Sequence, residues 1–362
     1  MKNILLICNT HYQLIVAMQM RLTSFENENV YALITNRSRR AEQVAQRLKE
    51  TGLFSDVFYQ AVKEPKGKRA NICERIAYIK GAVWGSKRYR IPAEIVFDEI
   101  IGFNLDLHSH MVFANECKKN PQLKCEKMEE GLLSYKTKDS TSGVLSTVYR
   151  LRRLRGLPNM KTGLSKFYCF EPAAYDGPLH PVSIPKLSVG SEKLKAVLSD
   201  VFSMEDVRED DYAAKYIYLP CVYDFEGGEP IGELALALRI AEVVGRENLL
   251  VKVHPRDDAE KYKQYGLKVD ARSGIPWEAI QIKHDFSDKV LISTLSTSLL
   301  TSASLFDNPP KSYYAFRQCD LSGNRLAQHY RSVIEGYLQG EHSARFTGIK
   351  VCDSIEQIVE SE

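Results

Sequence analysis

Short apolar runs alternate with amphipathic stretches along this chain, and their order constrains the fold more than any other feature. Residues 4–8 (ILLIC) and 30–35 (VYALIT) predict strands on either side of a helical pattern. A second amphipathic helix is predicted over 41–54, with a glycine near its end. Further short strands are predicted over 94–100, 110–115 and 123–128. Strands that alternate with helices predict a parallel sheet covered by helices.

The pattern restarts after a proline-rich segment. Residues 171–187 hold four prolines and one glycine, so we predict an inter-domain linker there. Beyond it the patterns predict a strand over 215–222, a helix over 231–245, a strand over 247–255, and a strand leading into a turn and helix over 288–304. We therefore predict an α/β protein of two doubly wound, Rossmann-like domains, residues 1–185 and 186–362, facing each other across a cleft. We expect the last helices to pack back on the first domain.

Composition fits two folded domains and argues against nucleic acid as a partner. The chain has 362 residues, 44% of them hydrophobic, which is enough to bury two cores. Its 49 basic and 46 acidic residues leave a formal net charge of +3, too small to indicate a nucleic-acid surface. Eight cysteines occur without a C-x-x-C pair, which is typical of reduced thiols in a reducing compartment.

The amino-terminal apolar run does not have the pattern of a signal peptide. Thr10, His11 and Gln13 interrupt it, and no small-residue cleavage site follows. No stretch reaches the roughly 18 uninterrupted apolar residues that a membrane span needs. We expect a cytoplasmic protein that can contact the inner face of the cytoplasmic membrane.

A basic amphipathic stretch over 149–161 is the feature that could make such a contact. It carries four arginines, Arg150, Arg152, Arg153 and Arg155. The stretch is typical of a solvated helix face; the alternative is contact with an anionic membrane or a phosphorylated acceptor lipid.

Glu129 and Glu130 lie side by side before Gly131. Charged residues followed by glycine are common in solvated turns. Alternatively, neighbouring like charges raise each other's proton affinity, which suits a general base, and a glycine allows a substrate to approach closely. The pattern alone leaves both interpretations open.

His254 follows a predicted strand and precedes Pro255. Lys252 and Arg256 flank it, so positive charge can collect there in a way that suits a phosphate. A lone histidine is also commonly structural, and His180-Pro181 repeats the dipeptide in the predicted linker.

Two further segments of the second half carry candidate ligand groups. The run STLSTS (293–298) can hold an anion at a helix start or supply ordinary N-caps. Pro276 suits the first turn of a helix, where Glu278 would be a dipole partner or a carboxylate that binds ribose hydroxyls.

At the end of the first strand, Asn9, Thr10 and His11 should face the same cleft, although they also fit a helix start. His108 and His110 lack a third ligand with convincing spacing, so we expect no zinc site.

In their order along the chain, these motifs resemble the bacterial sialyltransferases that make lipooligosaccharide and polysialic acid capsules. In those families a D/E-D/E-G motif and an HP motif face each other across the cleft of a GT-B fold, and here they correspond to Glu129-Glu130-Gly131 and His254-Pro255. The family's Ser/Thr motif corresponds to residues 296–298, and T-x-Y-Q-L (10–14) resembles its first strand-to-helix turn. Two glutamates, where many lipooligosaccharide enzymes carry aspartates, are closer to the capsule type.

The resemblance implies an inverting glycosyltransferase, a sialyltransferase that moves sialic acid from CMP-sialic acid to a hydroxyl of a glycan or glycolipid acceptor. It implies no metal and no cofactor beyond this co-substrate. Glu129 would be the base, with Glu130 as the second choice, and His254 would support the leaving phosphate. The donor-binding residues would be Gly131, Lys252, Pro255, Pro276, Glu278, Ser296, Thr297 and Ser298, and the acceptor or sugar-binding residues Asn9, Thr10 and His11. Dimers occur in the resembled families.

Other functions share parts of this pattern. A CDP-glycerol-type phosphotransferase has a similar K-x-H-P run and Ser/Thr cluster, but usually an acid before the serines, which STLSTS lacks. Another CMP-sugar transferase, or a non-catalytic module that binds nucleotide or glycan, also fits. The donor sugar, the acceptor, the linkage, the number of sugars added and the oligomeric state stay open.

Overall fold

The computed structural model describes residues 1–62, 71–87, 89–135, 143–223 and 228–360. The chain divides into two compact units. The first comprises Met1–Pro185 with Ala196–Val201, and the second comprises Lys186–Lys195 with Phe202–Glu362. The carboxyl-terminal helices therefore group with the second unit.

The first unit is built on a parallel sheet in which seven described strands run in the order β3-β2-β1-β4-β5-β6-β7. The strands are β1 (Asn3–Cys8), β2 (Asn29–Thr35), β3 (Asp56–Gln60), β4 (Glu99–Gly102), β5 (Lys124–Met128), β6 (Lys166–Cys169) and β7 (His180–Ser183). The helices are α1 (His11–Leu22), α2 (Ala41–Glu50), α3 (Ile72–Trp84), α4 (Leu107–Lys119) and α5 (Gly143–Leu154). β1 is buried from Ile4 to Cys8 because helices cover both faces of a parallel sheet.

The second unit repeats this plan with six described parallel strands in the order β10-β9-β8-β11-β12-β13. The strands are β8 (Tyr216–Leu219), β9 (Leu249–Lys252), β10 (Lys268–Asp270), β11 (Val290–Ser293), β12 (Lys311–Tyr314) and β13 (Ile349–Val351). The helices are α6 (Glu192–Phe202), α7 (Glu233–Val244), α8 (Glu260–Lys263), α9 (Trp277–Lys283), α10 (Ser298–Leu305), α11 (Arg325–Gln339) and α12 (Gln357–Glu360). α6 begins in this unit and crosses into the first.

Short 3₁₀ turns connect several of these elements. They are Leu132–Tyr135, Lys161–Gly163, Pro172–Ala174, Glu209–Tyr212, Arg246–Asn248, Phe316–Gln318 and Ser343–Arg345.

The predicted strand over 110–115 is wrong, because these residues lie inside α4. The Asp106 side chain caps this helix by accepting a hydrogen bond from the Ser109 backbone N–H at 2.8 Å. The run from His108 to Ala114 is buried throughout. A short apolar run does not distinguish a buried helix from a buried strand, and here the upstream cap decided the outcome.

The predicted strand over 94–100 and the predicted linker over 171–187 also need correction. Strand geometry begins only at Glu99, in β4.

Within the predicted linker, β7 pairs with β6 at the edge of the first sheet, and Pro181 lies opposite Phe167. Proline is tolerated at an edge because the outer side of the strand donates no ladder hydrogen bond.

Candidate functional site

The acidic pair lies directly beyond β5, at the carboxyl edge of the first sheet. The Glu129 N–H donates to the Tyr168 carbonyl at 3.0 Å, which continues the pairing of β5 with β6. Gly131 has a φ of +72°, a conformation that favours glycine, so the chain turns sharply after the two acids. Ser134 closes this turn by donating to the Gly131 carbonyl at 2.6 Å and accepting from the Glu130 N–H at 3.2 Å.

The Glu129 carboxylate is enclosed by hydrogen-bond donors. The hydroxyls of Tyr12 and Tyr135 donate to its two oxygens, and the Phe170 N–H donates to Oε2 at 2.8 Å. Only 1% of the residue is exposed. Burial raises the pKa of this carboxyl, and the three hydrogen bonds oppose the rise because they stabilise the charged form. A substrate therefore has no direct route to Glu129.

Glu130 has a different environment. Its side chain is partly exposed and lies against Thr10 and Gln13 on the first turn of α1. Burial raises the pKa of the Glu130 carboxyl, whereas the nearby polar side chains of Gln13 and Thr10 and the positive charge of Arg37 oppose the rise. Glu130 is therefore the member of the pair that meets solvent.

The residues predicted to bind the acceptor differ in what they contact. The Asn9 side chain is buried and accepts a hydrogen bond from the Thr35 hydroxyl at 2.7 Å, which ties β1 to β2. Thr10 caps α1 by accepting from the Gln13 N–H at 3.2 Å. His11 Nε2 lies 3.1 Å from the Arg39 carbonyl, and burial lowers the pKa of its ring. Thr10 also lies against Glu130 of the acidic pair.

In the second unit, His254 lies two residues beyond β9. The Arg256 N–H donates to its Nδ1 at 3.2 Å. Because Nδ1 accepts, the neutral ring carries its proton on Nε2. The ring is partly exposed, and Pro255 beside it is exposed. His254 can thus present an N–H donor to an anion at the carboxyl edge of this sheet.

The hydroxyl residues lie beyond β11, at the start of α10. Ser296, Thr297 and Ser298 are partly exposed. Ser293 fixes the turn because its hydroxyl accepts from the Ser296 N–H at 3.0 Å and donates to the Leu219 carbonyl at 2.6 Å. β9 and β11 both neighbour β8, so His254 and this turn lie at the same edge of the sheet. Ligands of open parallel sheets bind at such edges.

Lys252 lies in a buried ion pair. Its ammonium is 3.3 Å from Asp270 Oδ2 and donates to the Arg272 carbonyl at 2.9 Å, and 7% of its side chain is exposed. Asp270 also accepts hydrogen bonds from the Tyr212 hydroxyl and from Arg272. The pairing of β9 with β10 places Lys252 directly opposite Asp270. This geometry gives Lys252 a packing role and leaves little of it for a donor nucleotide.

Pro276 and Glu278 lie where the sequence predicts a helix start. Pro276 precedes the first residue of α9, and Glu278 is in its first turn. Glu278 is partly exposed, and desolvation raises the pKa of its carboxyl.

Arg152 is a packing residue, which corrects the prediction that it faces a lipid surface. It is 2% exposed, and its guanidinium donates to the carbonyls of Val83 at 2.6 Å and Pro158 at 2.7 Å. The same group lies 5.4 Å from the centre of the Phe113 ring. Arg150, Arg153 and Arg155 are exposed, as predicted for a solvated or membrane-facing helix side.

The described residues contain neither a metal-binding cluster nor a membrane-spanning helix. Among them, no group of three or more His, Cys, Asp or Glu side chains could hold a metal ion. Within the same ranges, no helix has the length and apolarity needed to cross a membrane.

Sequence reasoning missed the tyrosines that hold Glu129. Tyr135 closes the segment KMEEGLLSY, and Tyr12 lies within THYQL, so both belong to motifs that the sequence singles out. Their contact with the same carboxylate depends on the fold, since Tyr12 is 117 residues from Glu129.

Comparison with known proteins agrees with this arrangement. Residues 223–315 match the family model of the alpha-2,8-polysialyltransferases. This segment contains His254, Glu278 and the hydroxyl turn at 296–298. No curated protein matches the chain significantly in sequence.

Solved sialyltransferases share the fold. The α/β-galactoside α2,3-sialyltransferase of Photobacterium phosphoreum matches with a TM-score of 0.51 at 12% identity, over 100% of each chain. The GT-B domain of a Photobacterium damselae sialyltransferase matches with a TM-score of 0.53 at 10% identity, over 96% of this chain and 99% of its own. A sialyltransferase from Photobacterium damsela matches with a TM-score of 0.52 at 11% identity, over 97% of this chain and 81% of its own.

At such low identity the structural matches show the fold, and the family match adds a sequence similarity within the second unit. Together they confirm the predicted GT-B type α/β fold and the resemblance to bacterial sialyltransferases. The chain is thus similar to the alpha-2,8-polysialyltransferases over residues 223–315, and its fold is that of the solved sialyltransferases.

Proposed function

We propose that the protein is an inverting, metal-independent sialyltransferase that moves sialic acid from CMP-sialic acid to a hydroxyl of a lipooligosaccharide or capsule glycan. The observation that carries the proposal is the polysialyltransferase match over 223–315. It spans every residue predicted to bind the donor except Gly131, which lies before it. Lys252, within the segment, is held in an ion pair.

The second unit provides groups suited to the leaving phosphate. In the transfer, the bond from the anomeric carbon to the phosphate oxygen breaks, and CMP departs with the electron pair. The Nε2–H of His254 and the hydroxyls at 296–298 can donate hydrogen bonds to the charge that develops there. Such donors make a metal unnecessary for this step.

The first unit provides the proton acceptor. The acceptor hydroxyl must lose its proton as its oxygen attacks the anomeric carbon. We assign this role to Glu129, because burial raises the pKa of its carboxyl although three hydrogen bonds oppose the rise. Glu130 is partly exposed, so it is the better placed group to hold the acceptor through hydrogen bonds from sugar hydroxyls.

The test is CMP release by the purified protein in EDTA, with and without a glycan acceptor. We expect release that depends on the acceptor, and its loss in His254→Ala. As a matched control we choose His180→Ala, the other His-Pro dipeptide, whose histidine lies exposed in β7. Equal loss in both variants would count against the role of His254.

We further propose that α3 and α5 form a basic and apolar face that contacts an anionic membrane. The two helices pack through Ile79, Ala82, Val83, Val148 and Leu151. This packing leaves large apolar side chains exposed, with Ile72 at 72%, Leu154 at 69% and Ile76 at 46%. Beside them lie the exposed cations Arg75, Lys80, Arg150, Arg153 and Arg155.

Apolar side chains among cations match the chemistry of an anionic lipid surface, where each basic residue contributes about 1 kcal/mol. Sedimentation with vesicles of anionic lipid should capture the protein, and changing Arg150, Arg153 and Arg155 to Ala should release it. Replacing Lys193, Lys311 and Lys350, three exposed cations of the second unit, gives a control of equal charge. The homodimer that the resemblance implies stays a prediction, which light scattering tests.

A further inference from the structure

A buried proton acceptor poses a problem for the proposed reaction. Glu129 is the assigned proton acceptor, yet only 1% of the residue is exposed, which keeps an acceptor hydroxyl from reaching it. A group that touches both Glu129 and the surface must therefore connect them.

Tyr12 has the required position. Its hydroxyl donates to Glu129 Oε1, and its side chain is partly exposed. Tyr135 donates to Oε2 of the same carboxylate but is 1% exposed, and its oxygen also accepts from the Glu171 N–H at 3.1 Å. Of the two tyrosines on this carboxylate, Tyr12 alone is within reach of a substrate.

Hydrogen bonds anchor the first turn of α1, which carries Tyr12. Thr10 caps the helix, and the Asn9 N–H donates to Gln13 Oε1 at 2.6 Å. The Thr10 and Gln13 side chains that fix this turn also lie against Glu130. Tyr12 and Glu130 thus lie beside the same turn. Tyr12 is hydrogen-bonded to the buried Glu129, and Glu130 is the partly exposed acid.

We propose that Tyr12 is a catalytic residue that relays the acceptor proton to Glu129. This inference rests on the proposed sialyl transfer. The acceptor hydroxyl gives its proton to the Tyr12 oxygen, while Tyr12 gives its own proton to Glu129 Oε1. The acceptor oxygen bonds to the anomeric carbon, and the bond from that carbon to the phosphate breaks, with the electron pair leaving on CMP. Glu129 ends protonated, and Tyr12 ends as it began.

The experiment compares Tyr12→Phe with Tyr135→Phe, since each variant removes one hydrogen bond from the same carboxylate. The kcat of acceptor-dependent CMP release is measured together with CMP affinity by calorimetry. We expect Tyr12→Phe to lose about 100-fold or more in kcat, the size of a general acid–base contribution, with CMP affinity unchanged. Tyr135→Phe should lose less than about tenfold.

Several results would overturn the relay. If wild type transfers sialic acid and Tyr12→Phe stays within threefold of it, or falls no further than Tyr135→Phe, Tyr12 carries no proton. The same holds if Glu130→Gln loses activity while Tyr12→Phe keeps it, since Glu130 would then be a direct base. A wild type without any transfer would instead overturn the proposed function, and the relay with it.

A second measurement tests the relay in the case that the Tyr12→Phe protein does not fold. Replacing Tyr12 by 3-fluorotyrosine keeps the hydrogen bond to Glu129 and makes the phenol more acidic. The relay then predicts that the alkaline limb of the kcat profile moves to lower pH. An unmoved limb would contradict it.

Discussion

The Tyr12 hydroxyl donates a hydrogen bond to the Glu129 carboxylate, although 117 residues separate them in sequence. This contact joins the first turn of α1 to the end of β5 and, through Phe170, to the end of β6. The two adjacent glutamates have different environments, since Glu129 is buried and Glu130 is partly exposed.

The two acids should respond differently to removal of their charge. Glu129→Gln should abolish transfer, with a loss of about 100-fold or more, because the proton then has no acceptor. Glu130→Gln should mainly raise the KM for the acceptor, because it weakens acceptor binding. CMP affinity should survive in both variants. Steady-state kinetics with varied acceptor separate the two effects, and a selective kcat loss in Glu130→Gln would reverse the roles.

Removing Tyr135 should shift the pH profile in a direction that the structure fixes. Its hydroxyl stabilises the charged form of Glu129 and so lowers the pKa of that carboxyl. Tyr135→Phe should therefore raise this pKa. As the pH falls, Glu129 is then protonated at a higher pH than in wild type, and activity is lost there. The acid limb of the profile of kcat/KM against pH should move to higher pH. Tyr212→Phe removes a tyrosine from the buried Asp270 of the second unit and serves as control. An acid limb that stays in place in Tyr135→Phe would mean that Glu129 does not carry the reacting proton.

The regular elements were largely predictable, because their signals are local. β1 is a continuous apolar run, and α7 ends at Gly245, which has a φ of +85°. α4 was not predictable from its apolar run, since burial on most sides hides its helical period. The burial of Arg152 likewise depends on hydrogen bonds to the carbonyls of Val83 and Pro158, which only the folded chain brings within reach.

The candidate site was likewise predictable only in part. The sequence motifs located the acidic pair, His254 and the hydroxyl turn at strand ends. They could not separate Glu129 from Glu130, because that difference comes from Tyr12 and Tyr135 packing around one carboxylate. They also could not show that Lys252 is paired, since its partner Asp270 lies on a neighbouring strand.

Lys252 should matter more for stability than for donor binding. Lys252→Met leaves the charge of Asp270 without its ammonium partner, and removing one member of a buried pair costs about 3 kcal/mol. Urea unfolding of the variant should show this loss, while Lys268→Met, an exposed lysine of β10, should change little. A more than tenfold loss of CMP affinity in folded Lys252→Met would show instead that this ammonium binds the donor.

Glu233 should make the protein less stable as the pH rises from acid to neutral. It is buried at the start of α7, where the Tyr218 hydroxyl donates to it, and desolvation raises its pKa to about 7. The folded state then holds this proton more tightly than the unfolded state, whose carboxyl titrates near 4.5. Stability from this group is therefore full below about pH 4.5 and is lost progressively up to about pH 7.

Glu233→Gln removes this titration, so it should stabilise the protein at pH 8 by up to roughly 3 kcal/mol relative to wild type. Urea unfolding at pH 5 and pH 8 checks the sign. Destabilisation of equal size at both pH values would show that the carboxyl is charged throughout.

The most direct test of the central claim is CMP release from CMP-N-acetylneuraminic acid by the purified protein in EDTA, with lactose-terminated and sialylated acceptors supplied in turn. Release that depends on an acceptor, persists in EDTA and disappears in Glu129→Gln is the predicted result. Wild-type release that is absent with every acceptor, or that appears only after a divalent metal is added, would contradict the claim of a metal-independent sialyltransferase.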